Sequence, residues 1–408
     1  MFLPIIHELK LEKLFEIEEL YGSNKIPPLS YILSYLALKL LGKERLSYVD
    51  DFSFDYGLGV FAGLNVLPKA TAIGSYSYHH PRTITKKLLK GFMKLLKTHG
   101  YLKGQNINLD FHSIPYFGDK AELNKNWVPT RGKCMKSILS FFAQDLDTTF
   151  LCYSNGEINH EEINDEVLSF VDFYKTTNGI YPERLIFDSK LTTYANLYEL
   201  NLKNISFVTL KRRGKNFEKK ISSITNWKKI TLDNLKRKYR NLEYSESIIK
   251  LTNYKGDIRQ IIVKGTSREL PMCLITNDLN DSVKNIVTIY TKRWRIENNI
   301  QENIDFFNLN AVSSPIVVKV DFDIAFTLIA NTMYKIFAKK TKWFKDSKAK
   351  TISRNFIEVD TKISINEESV EIKLGKKCFN PVIMDWISSL PEIKISWWNN
   401  RILKFKFE

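Results

Sequence analysis

Three carboxylates stand out as groups able to do chemistry: Asp110, Asp188 and Glu297. Around Asp110, Ile107, Leu109 and Phe111 alternate with Asn106, Asn108 and His112, which places the acid on the polar face of a strand. Asp188 ends the apolar run Leu185-Ile186-Phe187, at the strand end where ligand and metal sites of α/β folds gather. Glu297 sits mid-helix in a helical pattern running from about Ser282 to Phe307. There Tyr290, Arg293, Glu297 and Gln301 share one face, opposite Ile286, Ile289, Ile296 and Ile300. Acids drawn from three separate segments suit Mg²⁺, a hard ion that prefers carboxylate oxygens. Two such ions about 3.5–4 Å apart can activate a water or a 3′-hydroxyl and stabilise the oxygen that leaves a phosphodiester. Taken singly, each acid also reads as a surface residue or a cap, and Arg293 with Glu297 as a helix-surface ion pair worth about 0.3–0.5 kcal/mol.

The charge distribution points to a polyanion. The chain carries 61 Lys+Arg against 45 Asp+Glu, a net charge of +16. Between Lys203 and Arg240, thirteen basic residues face only Glu218 and Asp233, and Phe217, Trp227 and Tyr239 are interleaved. Cations neutralise phosphates and aromatic faces stack on unpaired bases, so this segment predicts nucleic-acid binding; a solvated basic surface is the bland alternative. Lys211, Arg212 and Arg213 are the best of this run, because they leave a strand beside the second acid. Lys190, two residues past Asp188, is a further candidate phosphate contact. A second cluster, Lys335 to Lys350, holds seven lysines against Asp346.

The elements that must position these residues follow from pattern. Residues 1–100 read as helical: Tyr31–Leu41 and an amphipathic Thr83–Lys97 flank a turn region from Gly57 to Pro68. Strands are predicted over Asn106–His112, Ser137–Ala143, Thr149–Tyr153, Leu185–Phe187 and Ile205–Leu210. A helix whose capping box is Asn159 and Glu162 precedes the fourth of these strands, and another near Thr192–Leu200 follows it. Residues 211–282 form a basic, strand-rich insertion, Ala325–Phe337 is a core helix that Asp321 and Asp323 cap, and 339–408 is β-rich. His112 reads as a hydrogen-bonded structural histidine, Asp145 and Asp147 as turn acids, and Trp397 and Trp398 as packing residues.

With 44% hydrophobic and 13% aromatic residues over 408 positions, the chain is too apolar to be disordered and long enough for two or three domains. The four cysteines are scattered without a CxxC pair, which predicts neither a zinc site nor a disulfide framework and fits a reducing, cytoplasmic compartment. No membrane span is expected: the most apolar stretch, Phe322–Ala338, contains Asp323, Asn331 and Lys335. The first six residues are apolar, but Pro4 and the glutamates at 8, 12 and 16 do not make a signal peptide.

Three stretches in order, Leu-Asp-Phe-His-Ser-Ile-Pro-Tyr-Phe-Gly-Asp (109–119), Arg-Leu-Ile-Phe-Asp-Ser-Lys (184–190) and Tyr-Thr-Lys-Arg-Trp-Arg-Ile-Glu-Asn (290–298), resemble the bacterial insertion-sequence DDE transposases. The branch is the one with a β-rich insertion between the second Asp and the Glu. The resemblance covers roughly 104–337, and Gly57 to Ser75 also resembles a segment that precedes the catalytic domain in this family. It implies a ribonuclease H-like mixed sheet flanked by helices, formed by 101–210 and 283–338, with a helical N-terminal DNA-end-binding region over 1–100. It implies Asp110, Asp188 and Glu297 as the acids that hold two Mg²⁺ ions, with Mn²⁺ as a substitute, and cutting and joining of the element's DNA ends. Tyr290 and Arg293 become contacts to double-stranded DNA near the cleavage point, in a homodimer on element ends and target, associated with the nucleoid of a prokaryote. The family's Tyr-x2-Arg-x3-Glu-x6-Lys signature fits Tyr290, Arg293 and Glu297 but meets Ile304 where it has Lys. A catalytically inactive DNA-binding protein derived from a transposase is the alternative.

Overall fold

The protein is described from a computed structural model, over residues 1–17, 19–119, 122–212, 214, 221–233, 240–266, 270–311 and 314–408. It is a mixed α/β fold with one large sheet. Much of the basic run, including Arg213, Phe217 and Tyr239, lies outside the described residues.

The N-terminal hundred residues form α1 (Leu3–Leu9), α2 (Leu11–Leu14), α3 (Pro28–Leu40), α4 (Tyr56–Ala62), α5 (Ala70–Tyr76) and α6 (Arg82–Thr98). Helix α4 lies where the glycine pattern predicts a turn. Asp55 caps it by accepting from the Leu58 N–H at 2.8 Å, and Gly59 admits the Leu64 carbonyl, which would stand 2.6 Å from a Cβ there. On α6 the residues Leu88, Leu89, Phe92 and Leu96 are buried, as its apolar stripe requires.

The sheet is built around β1 (Asn106–Pro115), antiparallel to β3 (Lys133–Asp145) and parallel to β5 (Arg184–Phe187), which is parallel to β6 (Ser206–Leu210). β2 (Lys125–Val128) pairs with the first residues of β3, and β4 (Leu151–Asn155) with its last. Beyond β6 the same sheet continues antiparallel through β10 (Met272–Thr276), β9 (Ile258–Lys264), β8 (Asn241–Ile249) and β7 (Lys228–Thr231). Ten strands thus share one sheet. Between β4 and β6, α7 (Glu166–Asn178) and α8 (Tyr194–Leu202) make the connections. Helix α7 starts later than the Asn159–Glu162 pair predicts. Glu162 donates its own N–H to the Asn159 carbonyl in a turn, and no side chain caps α7.

The pattern from Ser282 to Phe307 divides into α9 (Val283–Thr291) and α10 (Trp294–Asp305), so Glu297 lies in a first helical turn rather than mid-helix. No proline or glycine causes the break. Tight three-residue bonds join the helices, Arg293 N–H to the Tyr290 carbonyl and Ile296 N–H to that of Arg293 (both 3.1 Å). The start of α10 is then pinned to the β3–β4 turn. Gln144 donates to the Arg295 carbonyl (3.2 Å), Arg295 to that of Leu146 (2.9 Å) and Asn299 to that of Thr149 (3.0 Å). The isoleucine stripe divides as well. Ile286 and Ile289 pack with Ile186, Val208 and Leu274 against the sheet, whereas Ile296 and Ile300 join the main core.

That core is organised by α11 (Val317–Lys340), which is buried over most of its length. Asp321 and Asp323 are not its caps but anchors inside it, Asp321 fully buried and Asp323 partly so. Asp321 takes both oxygens to Arg82 of α6 (2.8 and 2.9 Å) and accepts the Gly156 N–H. Asp323 accepts from Lys39 (2.6 Å) and Tyr35 (2.8 Å) of α3. Carboxylates in a low-dielectric interior require such partners, and here the pairs fasten two N-terminal helices to the central one.

The C-terminal region holds α12 (Ala349–Ile352), α13 (Asn380–Ser388) and a four-stranded sheet of β11 (Thr361–Ile365), β12 (Ser369–Leu374), β14 (Arg401–Phe407) and β13 (Lys394–Ile395). Trp397 and Trp398 donate their indole N–H groups to the Phe61 and Val60 carbonyls at the end of α4, so both are packing residues. Among the described residues, no helix is long and apolar enough to cross a membrane, and all four cysteines are free thiols.

Candidate active site

Asp110, Asp188 and Glu297 come from β1, the residue after β5 and the first turn of α10; one guanidinium bridges Asp110 and Glu297, and Asp188 acts on it through its charge. Arg293 Nη2 donates to Glu297 Oε1 at 2.5 Å, and Nη1 lies 3.5 Å from Asp110 Oδ2. Burial resists the charge on Arg293, but Tyr290, Asp110, Glu297 and Asp188 together hold its pKa above the ordinary arginine value. The Asp110 carboxyl is pushed up to about 7. Burial is the main cause, Arg293 opposes it, and the charges of Glu297 and Asp188 add to it. A carboxyl near neutrality among two other acids marks a strained, anion-rich cluster of the kind found at functional sites.

The segments that hold these acids are firmly placed. Asp110 pairs in register with Phe142 of β3, and Asn108, two residues earlier on the same face, donates to Gln144 (3.2 Å). Asp188 opens a turn in which its Oδ1 accepts the Ser189 N–H (2.5 Å) and its carbonyl that of Leu191 (3.2 Å). Arg212 closes the same turn, donating to the carbonyls of Ser189 (3.1 Å) and Thr192 (3.4 Å). Its position beyond β6 puts a cation near the acids, but its visible task is to hold the Asp188 turn. Lys211 donates to Gln260 of β9 (3.0 Å), and Lys190 is exposed on the Asp188 turn. Arg213 lies outside the described residues. Tyr290 is buried, with the Arg293 guanidinium carbon 5.9 Å from its ring centroid.

His112 has its expected structural partner. Its Nε2 meets Asn310 Oδ1 at 2.7 Å, and burial lowers its pKa against the pull of that bond. Asn310, thirteen residues past Glu297 and beyond α10, carries no signal in the sequence that could have found it. Ile304 lies partly buried two turns along α10 from Glu297, lining a groove where the resemblance leads one to expect a lysine.

No protein-family model matches the chain, and no curated protein matches it in sequence.

The oxygen donors suit Mg²⁺ by type. Their placement is not yet that of a chelate. Among the described residues, no three His, Cys, Asp or Glu side chains stand close enough together to hold a metal ion, and Arg293 stands between Asp110 and Glu297. The guanidinium serves here as the acids' counter-charge.

Proposed function

We propose that the protein is a DNA transposase that cuts and joins element ends, with Asp110, Asp188 and Glu297 as its catalytic acids. One observation carries this reading: Asp110 and Glu297, 187 residues apart in sequence, meet at the single buried Arg293, and Asp188 follows β5, the parallel neighbour of the strand that holds Asp110. The strand order β4-β3-β1-β5-β6, with β3 alone antiparallel to its neighbours, supports a ribonuclease H-like reading of the core. The net charge of +16 supports a polyanionic substrate.

When bound to the three carboxylates, a pair of Mg²⁺ ions supplies the activation of water or of a 3′-hydroxyl and the stabilisation of the leaving oxygen. The chain's own groups do the rest. Asp110, set in the middle of the sheet, and Asp188, on the Arg212-held turn, would be two of the carboxylates that hold the ions. Glu297 comes in on the pinned start of α10. Arg293, once drawn away from the acids, is a forked donor for a phosphate beside the scissile bond. Two ends must be cut together, which calls for two copies of the chain on DNA.

The test is strand cleavage with Mg²⁺ on DNA carrying the element's inverted repeats. Cleavage and strand transfer are expected from the parent, with a loss of at least about a thousandfold in Asp110→Ala and Glu297→Ala. Cleavage that persists in either variant overturns the assignment.

A further inference from the structure

The long strand β3 belongs to two ladders. Its second half pairs with β1 (Asp110↔Phe142, His112↔Ser140, Ile114↔Ile138), and its first residues pair with β2 (Lys125↔Lys136, Trp127↔Cys134). Side chains alternate along a strand, and directly paired residues share a face. Lys125, Trp127, Cys134 and Lys136 therefore stand on the same face of the sheet as Asp110 and His112. The opposite face of the hairpin is the one that packs: Val128 is buried, and Asn126 bonds Ser137 and His160.

This outward face is aromatic and basic. Trp127 is 57% exposed and Phe117 60%, and the Arg131 guanidinium lies 5.1 Å above the Phe117 ring. Of the basic residues over 122–136, Lys125 and Lys136 stand on this face, and Lys136 donates to the Asp119 carbonyl at 3.0 Å. His112, two residues from Asp110 on the same face, bonds Asn310, and Asn310 with Glu44, Arg45, Tyr116, Phe117 and Ile304 lines a groove of about 500 Å³. Eight residues of β3 separate the positions opposite Asp110 and Trp127, roughly 27 Å at the rise of a strand.

We propose that the 125–136 hairpin is a platform for the DNA strand that leaves the acid cluster. The strand runs along the groove, one of its bases stands out of the duplex to stack on Trp127, and Lys125 and Arg131 neutralise its phosphates. The inference rests on the proposed cleavage of DNA at Asp110, but its test does not need cleavage.

Binding of the full chain is measured in EDTA to a blunt duplex and to the same duplex with a ten-nucleotide single-stranded extension. The parent is expected to prefer the extension. Trp127→Ala should weaken that complex about tenfold, one lost base–aromatic stack, and erase the preference. Lys125→Glu with Arg131→Glu should weaken both complexes and lower the slope of log affinity against log salt by about two. As a second measurement, Cys134 in a Cys378→Ser background should form a disulfide with a thiol tethered to a base of the extension. Trp127→Ala binding within twofold of the parent, or no disulfide, overturns the platform while leaving cleavage by the acids intact. A parent with no affinity for either DNA overturns the platform and the proposed function together.

Discussion

Replacing Arg293 by Gln removes the one cation seen to bridge two of the acids. The arginine is 6% exposed, Asp110 keeps 18% of its side chain in contact with solvent and Glu297 38%. Removing one partner from a fully buried ion pair costs about 3–5 kcal/mol. The exposure of Glu297 and the 3.5 Å contact to Asp110 reduce that here to about 2–3 kcal/mol. Unfolding entropy of about 2.1 cal/mol/K per residue over 408 residues gives about 0.9 kcal/mol per degree, so metal-free Arg293→Gln should melt about 3 °C below the parent at pH 8. The pH dependence has a definite sign. A carboxyl raised from 3.8 to about 7 is protonated in the folded protein at pH 5.5, so Arg293 then faces one charge fewer and its loss costs less. Mg²⁺ should raise the melting temperature of the variant more than that of the parent, because the ions no longer displace a guanidinium. Differential scanning fluorimetry in EDTA and in saturating Mg²⁺ reads all three. A metal-free variant within about 1 °C of the parent, or one equally destabilised at pH 8 and pH 5.5, would refute the counter-charge role.

Two further outcomes concern the helical region. His80 is fully buried and neutral, its Nε2 accepting the Tyr21 N–H at 3.2 Å and its Nδ1 donating to the Tyr76 carbonyl at 3.0 Å, and burial lowers its pKa from 6.5 to about 4. The unfolded chain takes up the proton first, so this stability is complete above pH 6.5 and lost on the way down to about pH 4, a total of roughly 3 kcal/mol. Melting curves at pH 7, 5 and 4 should show the loss, and His80→Asn should flatten it. Asp321→Ala removes the charge partner of Arg82, which keeps its bonds to Tyr153 and Ser154, and strands the Gly156 N–H, which should cost about 3 kcal/mol and lower the melting temperature by about 3–4 °C.

Alternation and helical periodicity made the central pieces legible. The 107–112 pattern marked β1, the apolar run before Asp188 marked β5, and 322–338 marked the buried helix. Long-range pairing was out of reach. Asp321 and Asp323 look like caps because they sit near a helix start, and only their distant partners Arg82 and Lys39 show them to be anchors. The turn between α9 and α10 was hidden for the same reason: it is imposed by Gln144 and Thr149, some 150 residues away, not by a breaker residue. Residue type singled out the acids and Arg293 in the sequence, and the structure brings Arg293 against Asp110 and Glu297. Arg212 read as a phosphate contact from charge, whereas its hydrogen bonds tie it to the Asp188 turn.

The bonding of β10 to β6 means that 228–276 is not a removable cassette. Deleting it would strip the partner from β6, whose other neighbour is the strand ending at Asp188, and leave a bare row of backbone donors and acceptors at the rim. Such truncations should aggregate rather than yield a smaller folded protein.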